Sequence, residues 1–435
     1  MGLGMRSSKP VRRSAPRPPS GPAPEAEVTI AEMGGEGDGL APGPIFASFT
    51  LPGERVRVAG TGERRKTLAI LEPSPERVEP PCPHFGICGG CALQHWRTDA
   101  YLAWKRDRLI GTLARQHIET EVLPIFASPP FSRRRVALHA RQGAKGEARL
   151  GYKIRNSWDL VGIEVCPIAD PKITAALPAM RRLAAPLFEH PKSAPTLHVT
   201  VTDDGIDIDI TGVERKSGGL SADARMRLAE QAAAGGFARV SMDGEIAYMD
   251  QAAPSVRLGE VRVVLPPGAF LQAVPAAERA MVEFVAQAAA GAERIADLYC
   301  GVGTFTFALA QIAPVYAADG SAAAIAALNA AVATAPGLKG VTAEARDLVR
   351  RPLLIQEMKK IDLAVFDPPR AGAAEQAGEI AGSKVSRVIG VSCNPATFAR
   401  DARTLIDAGF VLEQVFPVDQ FLWSPHVELI GVFSR

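Results

Sequence analysis

The sequence lacks any long hydrophobic run. The start of the chain has no apolar stretch of signal-peptide length, and no later segment approaches the roughly 20 apolar residues of a membrane span. These absences argue against a membrane protein, and we expect a cytoplasmic one. Cysteines are also few, with six in 435 residues. Because thiols stay reduced in the cytoplasm, we do not expect a disulfide framework.

A strong net charge is missing as well. The chain has 49 Lys and Arg against 47 Asp and Glu, a formal charge of +2, so bulk charge indicates no class of partner. Local charge is more informative, because the first twenty residues contain several basic residues, no acid, and many prolines and serines. These basic residues include Lys9, Arg12, Arg13 and Arg17. Such a segment cannot bury an apolar core, and we predict a disordered basic arm over residues 1–24.

The remaining length is sufficient for two or three domains. Over residues 25–80, short β-type runs separated by Gly and Pro predict a small β-barrel. Residues 81–262 mix helical and strand patterns and predict a central α+β domain, with a hairpin around Asp203-Asp204-Gly205. Over residues 263–435, apolar strands, glycine turns and alanine-rich helices alternate. This order predicts a doubly wound α/β domain with a mostly parallel sheet.

Three of the six cysteines lie within ten residues, in the segment CPHFGICGGC at 82–91. In a reducing compartment this spacing favours metal binding, because thiolates bind both zinc and iron–sulfur clusters. A Cys₄ zinc site usually contains two closely spaced pairs, and this segment has one C-x2-C pair. The spacing alone therefore leaves zinc and an iron–sulfur cluster equally open.

A nucleotide site is predicted where the chain reads RIADLYCGVGTFTFALAQIAPVYAADGS. A strand ends near Asp297, the turn Gly301-Val302-Gly303 follows, and the next strand ends at Asp319. Glycines allow the backbone to approach a ligand closely, and an acid at the end of the second strand can accept ribose hydroxyls. The turn lacks the third glycine of a dinucleotide fingerprint. A ligand without pyrophosphate, such as S-adenosylmethionine, therefore fits better than a dinucleotide. The acid at this distance from the turn favours a ligand site over a simple helix cap.

Two further apolar strands end in proline-bearing polar loops, FDPPRAG and VSCNPATFARD. Ligands bind at the carboxyl ends of strands in an open α/β sheet, so Asp367 and Cys393 are expected on the same edge as Asp319. A thiol at this edge is placed for nucleophilic chemistry. A lone cysteine is as often a small buried residue, and Cys300, inside the glycine turn, is interpreted in that way.

Four segments in this order resemble the uracil-5 RNA methyltransferases: DLYCGVGTFTFALA, FDPPRAG, VSCNPATFARD and SPHVELIGVF. The segment PGAFLQAVP (267–275) is similar to the Phe-x-Gln segment that enters the catalytic domain of that family. Residues 25–80 look like a TRAM domain, an OB-like RNA-binding barrel. The C-x5-C-x2-C spacing, with a distant fourth cysteine, is similar to the [4Fe–4S] site of the 23S rRNA branch. The resemblance extends from about residue 27 to the end of the chain.

The resemblance implies an enzyme that forms 5-methyluridine in RNA with S-adenosyl-L-methionine as methyl donor. It assigns Cys393 as the nucleophile that adds to C6 of uracil, and Glu428 as the base that removes the C5 proton. The target base has to be flipped out of structured RNA to reach the thiol. The implied cofactor residues are Gln272, Tyr299, Asp319, Asp347 and Asp367.

The resemblance also implies that the cysteine segment at 82–91 binds a structural [4Fe–4S] cluster. Its implied ligands are Cys82, Cys88, Cys91 and Cys166. Candidates for RNA phosphate contacts stand on a predicted strand, although a solvated basic face is nearly as common. These candidates are Arg133, Arg134, Arg135 and Arg141.

Two positions depart from the family pattern. Val274 stands where the family usually has Asn after Phe-x-Gln-x, and Thr304 stands where rRNA enzymes often have Asn. A valine cannot replace an amide, so we expect a different arrangement near the active site.

Three alternatives remain open in the sequence. In RNA cytosine-5 methyltransferases the working Cys directly follows an Asp-x-Pro segment, where this chain has Arg370, so uracil is favoured. A non-catalytic RNA-binding or assembly factor is disfavoured by the intact Asp367, Cys393 and Glu428. Archaeal-type tRNA enzymes share the barrel and the cluster, so tRNA stays an alternative to 23S rRNA. The protein is expected to be a monomer.

Overall fold

The computed structural model describes residues 23–143, 147–216 and 218–435. The predicted basic arm, residues 1–24, lies outside the described residues apart from its last two. Within these ranges no helix has both the length and the apolar character needed to cross a membrane.

The described strands alternate with helices in the C-terminal half and follow one another in the N-terminal half. The strands are β1 (Glu25–Thr29), β2 (Glu32–Met33), β3 (Asp38–Ala41), β4 (Ile45–Ser48), β5 (Arg55–Ala59), β6 (Arg64–Glu72), β7 (Glu121–Val122), β8 (Phe126–Ala127), β9 (Arg135–Gln142), β10 (Ala148–Lys153), β11 (Leu160–Gly162), β12 (Thr196–Thr202), β13 (Gly205–Thr211), β14 (Arg239–Met242), β15 (Glu245–Met249), β16 (Ser255–Leu258), β17 (Val261–Val264), β18 (Ile295–Leu298), β19 (Val315–Asp319), β20 (Val341–Ala345), β21 (Leu363–Phe366), β22 (Arg387–Ser392), β23 (Val411–Asp419) and β24 (Glu428–Ser434). The α-helices are α1 (Thr98–Ala114), α2 (Pro171–Ala175), α3 (Leu177–Ala184), α4 (Ala222–Ala234), α5 (Pro275–Ala288), α6 (Thr306–Ile312), α7 (Ala322–Thr334), α8 (Ala374–Gly382) and α9 (Pro395–Asp407), and a 3₁₀ turn covers Ala185–Phe188.

The N-terminal unit, which ends at Ser74, contains a six-stranded sheet of order β1-β5-β6-β4-β3-β2. In β5 the side chains alternate, with Val56 and Val58 buried and Arg55 and Arg57 exposed, because successive residues of a strand point to opposite faces. Each of the two end strands in the described part of this unit pairs on one side, β1 with β5 and β2 with β3. A closed TRAM-like barrel therefore stays a prediction.

A second sheet, of order β11-β10-β9-β12-β13-β14-β15, lies in the middle of the chain. The hairpin predicted at Asp203-Asp204 is present, since β12 and β13 pair antiparallel with Thr202 opposite Gly205. Helices α3 and α4 cover one face of this sheet through a core that includes Met180, Leu228 and Cys166.

The C-terminal sheet has the order β20-β19-β18-β21-β22-β24-β23-β7, and β8 also pairs with β23. Strands β18 to β22 are parallel, whereas β24 runs antiparallel to β22 and β23. Alternate residues of β21 pack into two different cores: Leu363 and Val365 into one, Ala364 and Phe366 into the other. Both faces of the sheet are therefore buried, which explains the continuous apolar runs of its parallel strands.

The reversed direction of β24 places its first residue beside the carboxyl end of β22, since Leu429 is opposite Ser392. The fold thus gathers the ends of β18, β19, β21 and β22 and the start of β24 at one edge. Two segments within the predicted central range, 81–262, contribute to this domain. One is the hairpin of β16 and β17, whose Val256 shares a core with Leu363 of β21, and the other covers residues 98–127. Strands β7 and β8 pair with β23, and Leu109 of α1 shares a core with Phe398 of α9.

Candidate active site

A cavity of about 830 Å³ opens at this edge of the C-terminal sheet. It brings together every residue that the sequence proposes for cofactor binding and catalysis, together with Gln420, which the sequence analysis did not single out. The predicted residues that line it are Gln272, Tyr299, Asp319, Asp347, Asp367, Cys393 and Glu428.

The glycine turn after β18 holds the carboxylate of Asp319 in place. Gly301 has φ 56° and Gly303 has φ 103°, conformations that favour glycine. The amide N of Gly301 donates to Oδ2 of Asp319 at 3.0 Å, and the amide N of Ser321 donates to Oδ1 at 2.7 Å. Each oxygen keeps a free lone-pair direction, so Asp319 can also accept hydroxyl groups of a ligand.

Asp297, near the end of β18, is a buried carboxyl behind the turn. The Thr306 hydroxyl donates to its Oδ2 at 2.6 Å, and Oδ1 has no hydrogen-bond partner within the described residues. Burial raises the pKa of Asp297 to about 7, with Asp367 and Asp319 adding to the effect. Asp347, on the other side of the turn, accepts hydrogen bonds from the amide N of Val349 and of Arg350.

The carboxyl groups of Asp367 and Glu428 are both buried at the inner end of the cavity. Burial raises the pKa of Asp367 to about 7, and the Gln272 side chain opposes this by donating from Nε2 to Oδ2 at 3.0 Å. Burial, followed by the charge of Asp367, raises the pKa of Glu428 well above its ordinary value. Both effects favour the protonated form of Glu428 relative to a carboxyl group in water.

Cys393 follows β22 and is partly exposed to the cavity. Asn394 caps α9 by accepting from the amide N of Ala396 at 3.1 Å, which fixes the backbone immediately after the thiol. Burial raises the pKa of the Cys393 thiol to about 11, and the charges of Glu428 and Asp367 add to this, while Arg370 opposes it. The thiol is neutral at pH 7 and needs a proton acceptor before it can act as a nucleophile.

Sequence reasoning missed Gln420, which links Gln272 to Glu428 by hydrogen bonds. Its Nε2 donates to Oε1 of Gln272 at 2.8 Å and to Oε2 of Glu428 at 3.2 Å. No local pattern marks this residue, because it follows an antiparallel strand and meets Gln272 only through the fold.

The arginines proposed as phosphate contacts have different environments. Arg134 is buried, forms an ion pair with Glu278, and donates from Nε to the Gln272 carbonyl at 3.0 Å. The hypothesis of an RNA contact is therefore wrong for Arg134, because its charge is already neutralised inside the protein. Arg135 lies over the Phe270 ring, 5.0 Å from its centroid, and Phe270 is 62% exposed.

Residues 255–435 match the family model described as tRNA (uracil-5-)-methyltransferase. The chain is 63% identical over 414 residues to a protein of Caulobacter vibrioides named an uncharacterized RNA methyltransferase, covering 94% of this chain and 100% of that one. It is 32% identical over 460 residues to the 23S rRNA (uracil(1939)-C(5))-methyltransferase RlmD of Alkalilimnicola ehrlichii, covering 98% of each. The chain belongs to the RNA (uracil-5-)-methyltransferase family.

A solved structure shares the fold of this RNA (uracil-5-)-methyltransferase. The tRNA (uracil-54, C5)-methyltransferase of Pyrococcus abyssi, in complex with S-adenosyl-L-homocysteine, aligns with a TM-score of 0.70 and 24% identity, covering 94% of this chain and 99% of that chain. The likeness supports the α/β fold with mixed sheets. All seven predicted cavity residues lie inside the part that matches the family model.

The four predicted cluster cysteines of this RNA (uracil-5-)-methyltransferase lie outside that part and surround a cavity of their own. Cys82, Cys88, Cys91 and Cys166 all line this space of about 280 Å³. Burial raises the pKa of Cys91 to about 12, and the pKa values of Cys82 and Cys88 are raised by the same cause. Cys166 is buried and the other three are partly exposed. Four thiols that line one space become favourable as thiolates when a cation compensates their charge.

The spacing of these thiols bears on the kind of metal. Across the described ranges, no group of three or more His, Cys, Asp or Glu side chains is arranged so that it could hold a metal ion. Zinc draws four sulfurs to about 2.3 Å from a single centre. In a [4Fe–4S] cluster each thiolate binds a different iron, so the sulfurs surround a larger volume. The four cysteines are the donor set that a [4Fe–4S] cluster needs, and the identity of the metal stays a prediction.

Proposed function

We propose that this enzyme forms 5-methyluridine in 23S rRNA with S-adenosyl-L-methionine as methyl donor. The observation that carries the proposal is that Cys393 and Glu428 line the same cavity as the glycine turn and Asp319. The cavity thus combines a nucleophile, a base and a carboxylate that can bind a nucleoside, and all three can reach a methyl donor and a uridine bound side by side. The relative from Alkalilimnicola ehrlichii, matched over 98% of both chains, supports rRNA as the substrate class.

In this proposal the cofactor binds to side chains and backbone that hydrogen bonds and the glycine turn keep in a fixed orientation. Asp319, oriented by two backbone amides, accepts the ribose hydroxyls, and the backbone of Gly301 and Gly303 allows close approach of the ligand. Tyr299, which has φ 61°, also lines the cavity, as do Gln272 and Asp347. Asp367, which lines the same cavity, would lie near both the cofactor and the edge of the pyrimidine.

The reaction begins when the Cys393 thiol loses its proton and its sulfur bonds to C6 of uracil. Asp367, whose pKa is about 7, is partly ionised at neutral pH and is a suitable acceptor for that proton. The C5–C6 π pair moves toward C4 and O4, which gives C5 the character of an enolate carbon. C5 then takes the methyl group of S-adenosyl-L-methionine, and S-adenosyl-L-homocysteine leaves.

The last step restores the aromatic pyrimidine. Glu428, in its ionised form, accepts the C5 proton, the C5–C6 double bond re-forms, and the C6–S bond breaks to release the Cys393 thiolate. The N–H that Gln420 donates to Glu428 favours the ionised form against the effect of burial.

A trapping experiment tests this function. RNA with 5-fluorouridine at the target position should be methylated and then remain covalently attached, since the fluorine at C5 cannot leave as a proton does. We expect a stable adduct with 23S rRNA fragments in the presence of S-adenosyl-L-methionine. An adduct only with a tRNA T-loop would transfer the proposal to tRNA, and no adduct with either RNA would reject it.

We also propose that Cys82, Cys88, Cys91 and Cys166 hold a [4Fe–4S] cluster. The cavity that all four cysteines line supports this. When bound, the cluster would supply a structural cross-link between residues 82–91 and the loop at Cys166. The assignment of residues 25–80 as a TRAM-like RNA-binding domain is proposed on the sequence resemblance.

A further inference from the structure

Gln420 lies immediately after β23 and is 2% exposed. Its Oε1 accepts hydrogen bonds from the amide N of Ala273 at 2.6 Å and of Val274 at 3.4 Å. A backbone N–H can only donate, so the carbonyl end of this side chain has to face residues 273–274. The orientation of the amide is therefore determined by the backbone rather than by the site.

This orientation sets the direction of the neighbouring hydrogen bonds. The NH₂ end of Gln420 faces the cavity and donates to Oε1 of Gln272 and to Oε2 of Glu428. With its own oxygen occupied, Gln272 presents its NH₂ group to Asp367. Two linked amides thus provide one N–H donor to each of the two buried carboxyl groups.

Val274 is the position where the sequence departs from the family by lacking an amide. The side chain of Val274 is buried in the apolar core beneath the sheet and makes no polar contribution. Gln420 brings an amide to the backbone of this position from a different element, the end of β23. Where the family has an Asn side chain and this chain has Val274, the amide of Gln420 therefore lies beside the Val274 backbone.

We propose that Gln420 is a positioning residue for methylation: it supplies the amide that Val274 lacks and orients Glu428 and, through Gln272, Asp367. The inference rests on the proposed function, because it concerns the base of that reaction. Gln420 does not touch the reacting atoms and acts through the two carboxyl groups.

The physical consequence concerns the protonation of Glu428. An N–H donor stabilises the ionised carboxylate that the final proton transfer needs. Asp367 after β21 and Cys393 after β22 interact with Glu428 through their charges, and Arg370 acts on Cys393. His426 is two residues before Glu428 in the chain, and Asp419, which forms a buried pair with Lys105, directly precedes Gln420. Without the donor, Glu428 ionises at higher pH, and elimination becomes slower at neutral pH.

The test compares Gln420→Met with the wild-type full-length enzyme, because methionine has a similar length and lacks the amide. We expect kcat at pH 7 to fall about 10-fold or more and the rising limb of the pH profile to move up by about one unit. Calorimetric affinity for S-adenosyl-L-methionine should stay the same. The adduct with 5-fluorouridine RNA should still form, because Cys393 adds to the base before Glu428 acts.

A matched control separates this role from a loss of packing. Gln376 is also fully buried, and its amide bonds the backbone N and O of Leu353, away from the cavity. Gln376→Met should lower thermal stability and leave the pH profile of kcat unchanged. If Gln420→Met does not fold, Gln420→Asn, which keeps a polar amide but is too short to reach Glu428, should show the same shift.

The outcomes distinguish this inference from the proposed function. A wild-type enzyme that neither methylates RNA nor forms the adduct would reject the proposed function. If the wild-type enzyme is active and both Gln420 variants keep its kcat and pH profile, the positioning role is rejected alone. A parallel loss in both the Gln420 and the Gln376 variants, without a shift in pH profile, would also reject it.

Discussion

The ammonium of Lys105 lies 2.5 Å from Oδ1 of Asp419, and both side chains are completely buried. Tyr101 donates to the other oxygen of Asp419, and Lys105 Nζ also donates to the Phe421 carbonyl at 3.2 Å. Burial lowers the pKa of Lys105 to about 8 although Asp419 opposes this, so the ammonium is mostly charged at neutral pH. The pair ties α1 to the residue that precedes Gln420.

The first prediction concerns this ion pair. Lys105→Met should lower the free energy of unfolding by about 3–5 kcal/mol, because it leaves the Asp419 carboxylate buried without its cation. Urea unfolding measures the change. Arg403→Met, which breaks the more exposed pair of Arg403 with Asp407, should cost much less. If both variants lower the free energy of unfolding by the same amount, the buried pair does not stabilise the protein more than the exposed one.

The second prediction concerns the cysteine cavity. Protein purified without air should be brown and contain about four irons per chain, since four thiolates hold a [4Fe–4S] cluster. Cys88→Ser should lose iron and reduce stability before it affects methyl transfer. Cys300→Ser changes a buried thiol outside this set and should keep the iron. Stoichiometric zinc without iron in the anaerobic wild type would refute the cluster.

A third prediction tests the cofactor site. Asp319→Ala should weaken S-adenosyl-L-methionine binding by about 1–3 kcal/mol, the loss expected for hydrogen bonds to a charged group. Isothermal titration calorimetry measures the affinity. Asp362→Ala is a matched control, since Asp362 also accepts from backbone amides, of Glu293 and Arg294, but precedes β21 at the opposite edge of the sheet. Unchanged binding in Asp319→Ala would show that the ribose site lies elsewhere.

The fourth prediction separates the two proposed catalytic residues. Cys393→Ala should abolish both methylation and adduct, because the bond to C6 no longer forms. Glu428→Gln keeps the nucleophile but loses the proton acceptor, a loss that typically costs ~10²–10⁴ in rate. It should therefore accumulate a covalent complex with unmodified RNA, visible as a heat-stable shifted band. Turnover at the wild-type rate in Glu428→Gln would assign the base to another group, with Asp367 the next to test.

The fifth prediction follows from the pKa of Cys393, which burial raises to about 11. In the free enzyme, alkylation of this thiol by iodoacetamide should be slow at pH 7 and rise about tenfold per pH unit below that pKa, because the thiolate is the reacting form. Glu428→Gln removes a like charge, so it should lower the pKa and speed alkylation at pH 9. Mass spectrometry of the Cys393 peptide measures the rate.

A matched variant serves as a control for the alkylation rate. Glu413→Gln changes an exposed carboxylate of β23 and should leave the rate unaltered. Alkylation of the wild type that is already maximal at pH 7 would contradict the raised pKa.

The sequence by itself determined the features that depend on neighbouring residues. The hairpin at Asp203-Asp204 and the βαβ unit from Ile295 to Asp319 follow from strand patterns and from glycines that tolerate positive φ. The loops after β21 and β22 could be placed at the sheet edge because the carboxyl ends of parallel strands coincide. Asp319, Asp367 and Cys393 were therefore predicted together, and they do line one cavity.

Only the tertiary structure decided which distant side chains meet. Glu428 reaches the edge because β24 runs antiparallel beside β22, and Gln420 joins Glu428 to Gln272 because β23 ends next to the start of β24. The burial of Arg134 against Glu278 likewise depends on how the central strands pack on α5. Such contacts depend on strand order and on residues far apart in the chain, and no local pattern encodes either.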